Sequence, residues 1–506
     1  MAGVRWRAAA AGVAAVLFAA GLGELTASLL APSASPFAAI GGGLIDIAPS
    51  WAKDLAIELF GTADKIALLT AIALVAALLA AAAGLLELWR PPVGTAIFIT
   101  LGIVGAVVAT VRSDGDPLAW LPSVVAGAAG AIALRVLMKR VSPAAEAPKD
   151  GPDRRQFLVW TGATAALGAA ALVFGNLARA TVRTVEAARA AVRLPAATTA
   201  AQAVPAAAEL GIEGLAPVVT PNTEFYRIDT ALVVPQVDPA DWRLRVHGMV
   251  DQEVVLTWDE LLALPLQESD ITLACVSNTV GGDLIGSARW LGYPVRELLA
   301  RAGASADADM VLSTSIDGFT ASTPLEAFTD DRDSLLAVGM NGEPLPLAHG
   351  FPVRLVVPGL YGYVSATKWV TELEVTRFDR ASAYWTSRGW SERGPIKLQS
   401  RIDVPRDGRD VEAGSSVIAG MAWHQHVGVE GVEVRVDGGQ WRRAELATAI
   451  SDDTWVQWSL PWTAESGTHE IECRALSADG ETQTSTPAPP APDGAQGWHR
   501  ISVTVR

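Results

Sequence analysis

The two cysteines are the residues of this 506-residue chain whose surroundings say most about their chemistry. Cys275 ends the apolar run DITLACV and is followed by the polar, glycine-rich turn SNTVGGD. Cys473 lies in HEIECRAL, where Ile471, Cys473 and Ala475 fall on one face of a predicted strand. Cys473 is therefore predicted to be a small core residue. A disulfide between the two cysteines is the alternative for an exported protein.

The setting of Cys275 favours a ligand-holding thiolate. A thiolate at the mouth of a strand, beside backbone that glycine leaves open, can hold a bulky group. Two cysteines are too few for a four-cysteine zinc site, a cysteine-ligated iron–sulfur cluster or a disulfide-dense scaffold. His424 and His426 could suggest a metal pair, but two residues apart beside a turn they are predicted to be exposed or interface residues.

The elements that must position Cys275 lie in residues 217–395. Short β-rich runs such as WRLRVHGMV, DITLACV and MVLSTSI alternate there with helix-like pieces such as WDELLAL and VRELLARAG. This pattern predicts a mixed α+β domain. Residues 396–506 show closely spaced strands without helical periodicity, including GVEVRVDGG and HRISVTVR. They are predicted to form an all-β immunoglobulin-like sandwich.

Three blocks, in this order, resemble the sulfite oxidase family of molybdopterin-dependent oxidoreductases in its membrane-anchored bacterial type. They are ITLACVSNTVGGDLIGSARWLGYPVRELLARAG, MNGEPLPLAHGFPVRLVVPGLYGYVSATKWV and GPIKLQSRIDVP. The resemblance implies a molybdenum–molybdopterin cofactor with Cys275 as the thiolate ligand of the metal. One soft thiolate suffices because the pterin dithiolene supplies two more sulfurs. The tail domain of such proteins often mediates dimers, so a homodimer is expected.

The resemblance also implies further site residues. An arginine fork suits a phosphate group, and the HGFPVR and SATKW segments would hold the phosphate end of the pterin. Without the resemblance, the histidine of HGFPVR would be interpreted as a turn residue before a strand. Asn278 and Trp290 are expected to line the catalytic pocket with Cys275. The expected cofactor-binding residues are Asn222, Phe225, Tyr226, Arg227, Asp317, His349, Arg354, Ser365, Thr367 and Lys368.

Departures from the family pattern concern the substrate. Thr279 stands where sulfite-oxidising members carry an arginine, Val338 stands where a tyrosine is expected, and Asp229 introduces an acid into the leading segment. A lost cation and an added acid disfavour a small dianion. The expected activity is oxygen-atom transfer on a small substrate, other than ordinary sulfite oxidation. Reduction of a sulfoxide, such as oxidised methionine, and a non-catalytic surface binding protein on the same fold are the alternatives.

Composition predicts a membrane region. Half of the residues are hydrophobic and only 18% are charged, against about 25% in ordinary soluble proteins. Apolar runs of about 20 residues predict five transmembrane helices at 8–30, 66–88, 93–111, 118–138 and 157–177. Residues 1–180 are thus predicted to be a five-helix transmembrane region, with an amphipathic surface helix at 44–60, and 181–216 a linker. Of the charges inside the spans, Glu24 is a functional candidate, while Glu87 and Arg135 are expected to reach the interface.

Loop charges predict the orientation. Arg5, Arg7, Arg90 and a basic cluster between the fourth and fifth spans favour a cytoplasmic amino terminus and an extracytoplasmic catalytic domain. Arg154 and Arg155, followed by Gln-Phe-Leu, resemble an internal twin-arginine export motif at 154–158, with plain positive-inside anchors as the alternative. The net charge of −15 argues against a nucleic-acid partner.

Electrons must enter or leave through another carrier, because molybdenum oxo chemistry transfers two of them. The chain has no CxxCH motif, and its six histidines all lie at or after His247, so no haem is predicted. The expected partners are a small-molecule substrate and a separate electron carrier, such as a cytochrome or a quinone-linked protein.

Overall fold

The structure is a computed structural model that describes residues 2–30, 35–36, 40, 64–112, 118–141, 154–181, 184–231 and 234–506. The described residues fall into two compact units. One comprises Met1–Val185 and Thr230–Pro235, and the other Glu186–Asp229 and Gln236–Arg506. The predicted surface helix at 44–60 lies outside the described residues.

The first unit is a helical bundle. Its helices are α1 (Ala2–Leu30), α2 (Asp64–Trp89), α3 (Val93–Arg112), α4 (Leu121–Met138) and α5 (Arg154–Thr181). Each contains a stretch long and apolar enough to cross a membrane, at the positions of the five predicted spans. Glycines let α1 approach its neighbours, since a Cβ at Gly12 would lie 1.9 Å from Ala80 O. Close helix contact through small residues is typical of membrane bundles.

Among the described residues of this unit, two carboxylates are buried. Glu87 is 7% exposed and accepts hydrogen bonds from Thr95 N at 2.8 Å and Thr95 Oγ1 at 3.0 Å. The expectation that Glu87 reaches outward is therefore wrong, because the first amides of α3 need an acceptor that the helix itself cannot supply. Glu24 is 5% exposed and accepts a hydrogen bond from Ser35 Oγ at 2.7 Å.

The second unit begins at Glu186, within α6 (Thr184–Ala191), and continues as an α+β region, as predicted. One of its sheets has the order β2-β1-β10-β5-β6, and the other β3-β4-β7-β8 with β9 paired to β7. The elements are β1 (Arg243–Gly248), β2 (Val254–Thr257), α7 (Trp258–Leu262), β3 (Gln267–Ala274), β4 (Ile285–Pro294), α8 (Val295–Ala302), β5 (Met310–Ser315), β6 (Thr320–Pro324), α9 (Glu326–Thr329), β7 (Leu335–Met340), β8 (Glu343–Pro344), β9 (Arg354–Val356), α10 (Gly362–Ser365) and β10 (Val370–Thr376).

Local signals explain where these helices begin and end. Thr257 and Glu260 form a capping box at the start of α7, which satisfies two amides that would otherwise lack acceptors. Helix α8 ends because Gly303 adopts a left-handed conformation with φ of +70°, which glycine tolerates without strain. Both helices agree with the prediction; α7 packs against β2, and α8 packs against β4, the strand that follows the Cys275 loop.

The C-terminal region of the second unit consists of strands and loops. Its two sheets have the orders β11-β13-β17-β16 and β12-β19-β18-β14-β15. They share one hydrophobic core. The all-β prediction is confirmed, while the immunoglobulin type remains a prediction. The strands are β11 (Gln399–Val404), β12 (Asp410–Val411), β13 (Gly414–Trp423), β14 (Val429–Val436), β15 (Arg442–Arg443), β16 (Glu445–Leu446), β17 (Val456–Ala464), β18 (Gly467–Ser477) and β19 (His499–Val505).

Cys473 is one of the core residues between these two sheets. It is completely buried on β18 and faces the core with Ile471 and Ala475, which are also completely buried. Burial raises the pKa of its thiol to about 12, since the charged form loses its hydration. Both cysteines are free thiols, so the structure contains the predicted core cysteine and not the alternative disulfide.

Candidate functional site

Cys275 directly follows β3, and its backbone is held in a closed loop that leads to β4. Its amide donates to Leu284 O at 2.9 Å, while Leu284 N donates to Asn278 Oδ1 at 2.9 Å. A Cβ at Gly282 would lie 2.4 Å from that same oxygen, so a larger residue there would displace the Asn278 side chain. The Asn278 side chain therefore shapes the loop, and its catalytic role remains a prediction.

The Cys275 thiol is buried with a cation nearby. Only 9% of the residue is exposed, and this burial raises the pKa of its thiol. Hydrogen bonds from Ser277 and the positive charge of Lys368 act in the opposite direction and lower that pKa. The thiolate is the form that binds metals. Its neighbours stabilise the negative charge, but burial removes the water that would hydrate it. Metal coordination would compensate for that loss.

Arg354 places a positive charge inside the protein. The residue is 5% exposed and its guanidinium lies 5.1 Å from the centre of the Trp290 ring. It donates to the carbonyl groups of His349, Leu355 and Ala366 at 3.2 to 3.4 Å. Burial lowers the pKa of Arg354 to about 10. Because these partners are uncharged, the guanidinium is suited to bind an additional anion.

Lys368 is the second buried cation, and it is paired. Its Nζ donates to Asp229 Oδ2 at 2.6 Å, and the two side chains are 9% and 5% exposed. Arg227 Nε binds the same oxygen at 2.8 Å. Burial lowers the pKa of Lys368 to about 8 although Asp229 acts to raise it. Asp229 thus pairs with two cations, and the expectation that it disfavours an anionic substrate stays a prediction.

Aromatic rings form the wall beside these charges. Phe225 is stacked on Tyr226 and meets Trp290 and His349 edge-on, with ring centres 5.3 to 5.8 Å apart. Trp290 is completely buried and donates from Nε1 to Ile271 O at 3.1 Å. Burial lowers the pKa of His349 to about 4, and the charges of nearby Arg354 and Lys368 add to this effect. The imidazole is therefore neutral at pH 7.

The side chains of four predicted cofactor residues have hydrogen-bond partners within the protein. Asn222 Nδ2 binds Glu343 Oε1 at 2.6 Å. Ser365 Oγ donates to a backbone carbonyl at 2.9 Å, and Thr367 Oγ1 lies 2.7 Å from Ser313 Oγ. Asp317 accepts the Phe319 amide at 3.3 Å in the turn between β5 and β6. Any contact of Asn222, Ser365, Thr367 and Asp317 with a cofactor therefore remains a prediction.

Tyr361 is a site residue that sequence reasoning missed. It is 4% exposed, and burial, with a smaller effect from Cys275, raises the pKa of its phenol to about 12. Burial also raises the pKa of Tyr226, again with a contribution from Cys275. Both phenols therefore keep their protons at neutral pH, and Tyr361 Oη accepts a hydrogen bond from the Lys397 amide at 3.5 Å. The signal was present, since Tyr361 lies in the same block, GLYGYVSATKW, as Lys368.

Together these residues fit a molybdenum–pterin group with a phosphate. They provide one soft ligand, buried positive charge and an apolar wall, and Gly350 leaves space between the cations. At Gly350, φ is +109° and a Cβ would lie 3.0 Å from Arg354 Cβ and 3.1 Å from Lys368 Cβ. The residues brought together are Phe225, Tyr226, Cys275, Trp290, His349, Arg354, Tyr361 and Lys368.

Comparisons with known proteins indicate a molybdopterin-binding domain. Residues 231–385 match the family described as oxidoreductase molybdopterin binding domain. The chain is 32% identical over 339 residues to mitochondrial sulfite oxidase of Homo sapiens, covering 57% of this chain and 62% of that protein. It is 33% identical over 180 residues to the uncharacterized oxidoreductase YuiH of Bacillus subtilis, covering 35% of this chain and 87% of YuiH. The chain therefore spans less than two thirds of the human relative.

A solved structure supports the same fold. The sulfane dehydrogenase SoxCD of Paracoccus pantotrophus aligns with a TM-score of 0.50 and 24% identity, over 56% of this chain and 81% of that chain. Fold and site thus define a molybdopterin-binding oxidoreductase domain. The chain belongs to the sulfite oxidase family of molybdopterin oxidoreductases, and this membership implies a molybdenum cofactor.

Proposed function

We propose that this protein is a membrane-anchored, extracytoplasmic molybdenum enzyme that transfers an oxygen atom to or from a small substrate, and that sulfite is not its ordinary substrate. The observation that carries the proposal is that the charge of Lys368 is already paired and that position 279 carries no charge. Lys368 is bound by Asp229 at 2.6 Å, and Thr279, at the position where an arginine would meet sulfite, is an exposed, uncharged residue. An anionic substrate therefore lacks the pairing that sulfite-oxidising relatives provide.

Each residue of the site has a defined task in this proposal. The bound cofactor supplies a metal that changes oxidation state by two electrons and exchanges one oxygen atom with the substrate. Cys275 holds the metal as a thiolate, and Arg354 neutralises the phosphate of the pterin. Neutral His349 is a hydrogen-bond partner for the uncharged part of that group. Trp290 and Phe225 exclude water from this side of the pocket.

Reduction of a sulfoxide is the second candidate, and the protonated phenol of Tyr226 favours it. Tyr226 and Tyr361 keep their protons because burial raises both pKa values. A protonated phenol can donate a hydrogen bond to the oxygen of an uncharged sulfoxide. In the balanced reaction, the sulfoxide takes up two electrons and two protons, the S–O bond breaks, and a sulfide and water are released. Sulfite oxidation runs in the other direction, since water supplies the oxygen and two electrons leave.

Steady-state turnover of the full-length holoprotein in detergent tests the substrate. Methionine sulfoxide is offered with reduced benzyl viologen as the electron donor, and sulfite is offered with ferricyanide as the acceptor. One missing charge-assisted hydrogen bond, about 1.5–3 kcal/mol, corresponds to roughly 10- to 100-fold weaker use of sulfite. Cys275→Ser is the control and should abolish turnover. Saturable sulfite oxidation that exceeds sulfoxide reduction would overturn the proposal.

The membrane region is proposed to anchor the enzyme with its catalytic domain outside the cytoplasm. The five apolar helices support the anchor, and the basic loop residues support the orientation. Alkaline phosphatase, which is active only after export, and green fluorescent protein can each be fused after the last residue of the full chain. Active phosphatase with a dark fluorescent fusion is expected. An inactive phosphatase fusion together with a bright fluorescent fusion would place the catalytic domain in the cytoplasm and contradict the proposed orientation.

The remaining parts of the proposal concern partners. The C-terminal all-β region is proposed to be an immunoglobulin-like dimerisation domain, supported by its two sheets around one core. An extracytoplasmic cytochrome or a quinone-linked protein is proposed to exchange electrons with the site. Light scattering of the detergent-solubilised full chain tests the dimer, and a monomeric mass over the working concentration range would contradict it.

A further inference from the structure

The strand that leads into Cys275 is hydrogen-bonded to the C-terminal all-β region. Thr272, three residues before Cys275, is completely buried. Its amide donates to Asp453 O at 3.0 Å, and its Oγ1 accepts the Trp455 amide at 2.9 Å. A pair of bonds in opposite directions fixes both the position and the orientation of Thr272. The end of β3 is therefore held from the C-terminal side of the molecule.

The loop that follows Cys275 is held by the same region. Gly282 O accepts a hydrogen bond from Arg401 at 2.8 Å. Gly281 lies directly against His499, since a Cβ there would lie 2.2 Å from His499 Nε2. Glycine is thus required at Gly281 by the approach of the imidazole and by a φ of +77°. The C-terminal region contacts the backbone on both sides of Cys275.

Two further contacts within the C-terminal region hold the Arg401 side chain in place. Its side chain is 9% exposed, and its Nε binds Asp403 Oδ1 at 2.6 Å. The guanidinium also lies over the Trp455 ring, 5.7 Å from the ring centre. Trp455 is the residue whose amide binds Thr272. Arg401 therefore contacts both Trp455, which holds the strand before Cys275, and the loop after Cys275.

We propose that Arg401 is a positioning residue that sets the place of the Cys275 thiolate. Gly282 lies two residues before Leu284, whose carbonyl accepts the Cys275 amide. An anchored Gly282 carbonyl keeps this closed loop in register, whereas a glycine pair without its donor would be free to open. The inference rests on the proposed function, in which Cys275 is the metal ligand, and it makes the C-terminal region part of the site.

The test compares three variants of the full chain. Arg401→Met removes the donor, and Arg401→Lys keeps the positive charge and a donor and serves if the first variant does not fold. Arg435→Met is the matched control, because Arg435 also binds a buried carboxylate, that of Glu472, and lies over a tryptophan, Trp441, at 4.7 Å. These contacts lie within the C-terminal region and leave the Cys275 loop untouched.

Amide hydrogen exchange of the cofactor-free protein gives the first readout. Loss of one hydrogen bond and the loop closure that it supports should speed exchange at Cys275 and Leu284 about tenfold in Arg401→Met. Arg401→Lys should restore part of the protection, and Arg435→Met should leave it as in wild type. Unchanged exchange of the loop in Arg401→Met would overturn the proposal.

Electron paramagnetic resonance of Mo(V) in the reduced holoprotein gives the second readout. Its g values report on the metal–thiolate bond, so they should shift in Arg401→Met and not in Arg435→Met, even if both variants lose similar thermal stability. If Arg401→Met speeds loop exchange but leaves the Mo(V) g values unchanged, Arg401 only stabilises the loop, and its positioning role is overturned. If wild-type protein from a cofactor-competent host holds no molybdenum, the proposed function fails, while the exchange result still decides whether Arg401 holds the loop.

Discussion

Asp229→Asn should destabilise the cofactor-free protein at neutral pH and much less at alkaline pH. The substitution removes the carboxylate that lies 2.6 Å from Lys368 Nζ in surroundings where the two side chains are 5% and 9% exposed. Lys368 then stays buried without its main partner. A buried cation without a partner is costly, so the lysine will lose its proton at a lower pH than in wild type.

The size of the effect follows from the pKa of Lys368. Its pKa is about 8 with Asp229 present and 10.5 in the unfolded chain, so wild type gains stability as pH rises from about 8 to 10.5, and the variant gains it from a lower pH onward. Between the lower pKa of the variant and pH 8, only wild type keeps the folded lysine charged. Each pH unit in that interval is worth about 1.36 kcal/mol. With the lysine of the folded variant neutral at pH 7, the cost of Asp229→Asn should thus be about 1.4 kcal/mol larger at pH 7 than at pH 9.

Urea unfolding of the full chain in detergent, followed by tryptophan fluorescence at both pH values, measures this difference. Asp270→Asn is the matched control, because Asp270 is also 5% exposed but binds Arg289 at 2.7 Å. An arginine does not lose its proton in this range, so the cost of the control substitution should not vary with pH. An equal cost of Asp229→Asn at pH 7 and pH 9 would refute the assigned pairing of Lys368.

Three further substitutions test other parts of the site. Arg354→Met should lower the molybdenum content of the purified protein at least about tenfold, because the phosphate loses a charge-assisted bond; a stoichiometric content would contradict this. Cys473→Ser should keep the metal and turnover within about twofold while lowering the free energy of unfolding by about 1–2 kcal/mol, because a hydroxyl replaces a thiol in the core; loss of metal would contradict it. Gly350→Ala should cost about 1–3 kcal/mol in urea unfolding, because φ is +109° there; an unchanged midpoint would show that the strain is absent.

Features with a local signal could be predicted from the sequence. The β-rich, apolar run DITLACV placed Cys275 at the end of a strand, and VRELLARAG contained both the helix α8 and the glycine that ends it. Apolar runs of membrane length located five helices. The burial of Cys473 followed from its place among apolar residues on one face of β18. Periodicity and chain length are sufficient for such predictions because they depend on neighbours in sequence.

Features made by distant residues could not be predicted. The pairing of Lys368 with Asp229 spans 139 residues, and no periodicity connects the two positions. The same holds for Arg401 and Gly282, which are 119 residues apart. Asn278 matched a family pattern, yet the pattern does not state whether its oxygen faces a substrate or Leu284 N. Glu87 was misjudged because its acceptor role depends on how α3 begins.

The number of sulfur atoms bound to molybdenum tests the role of Cys275 most directly. X-ray absorption at the molybdenum edge of the full-length holoprotein should show three sulfur ligands in wild type, two from the dithiolene and one from Cys275. Cys275→Ser should retain the fold and show two. The same sulfur count in both proteins would contradict the assignment of Cys275 as the metal ligand.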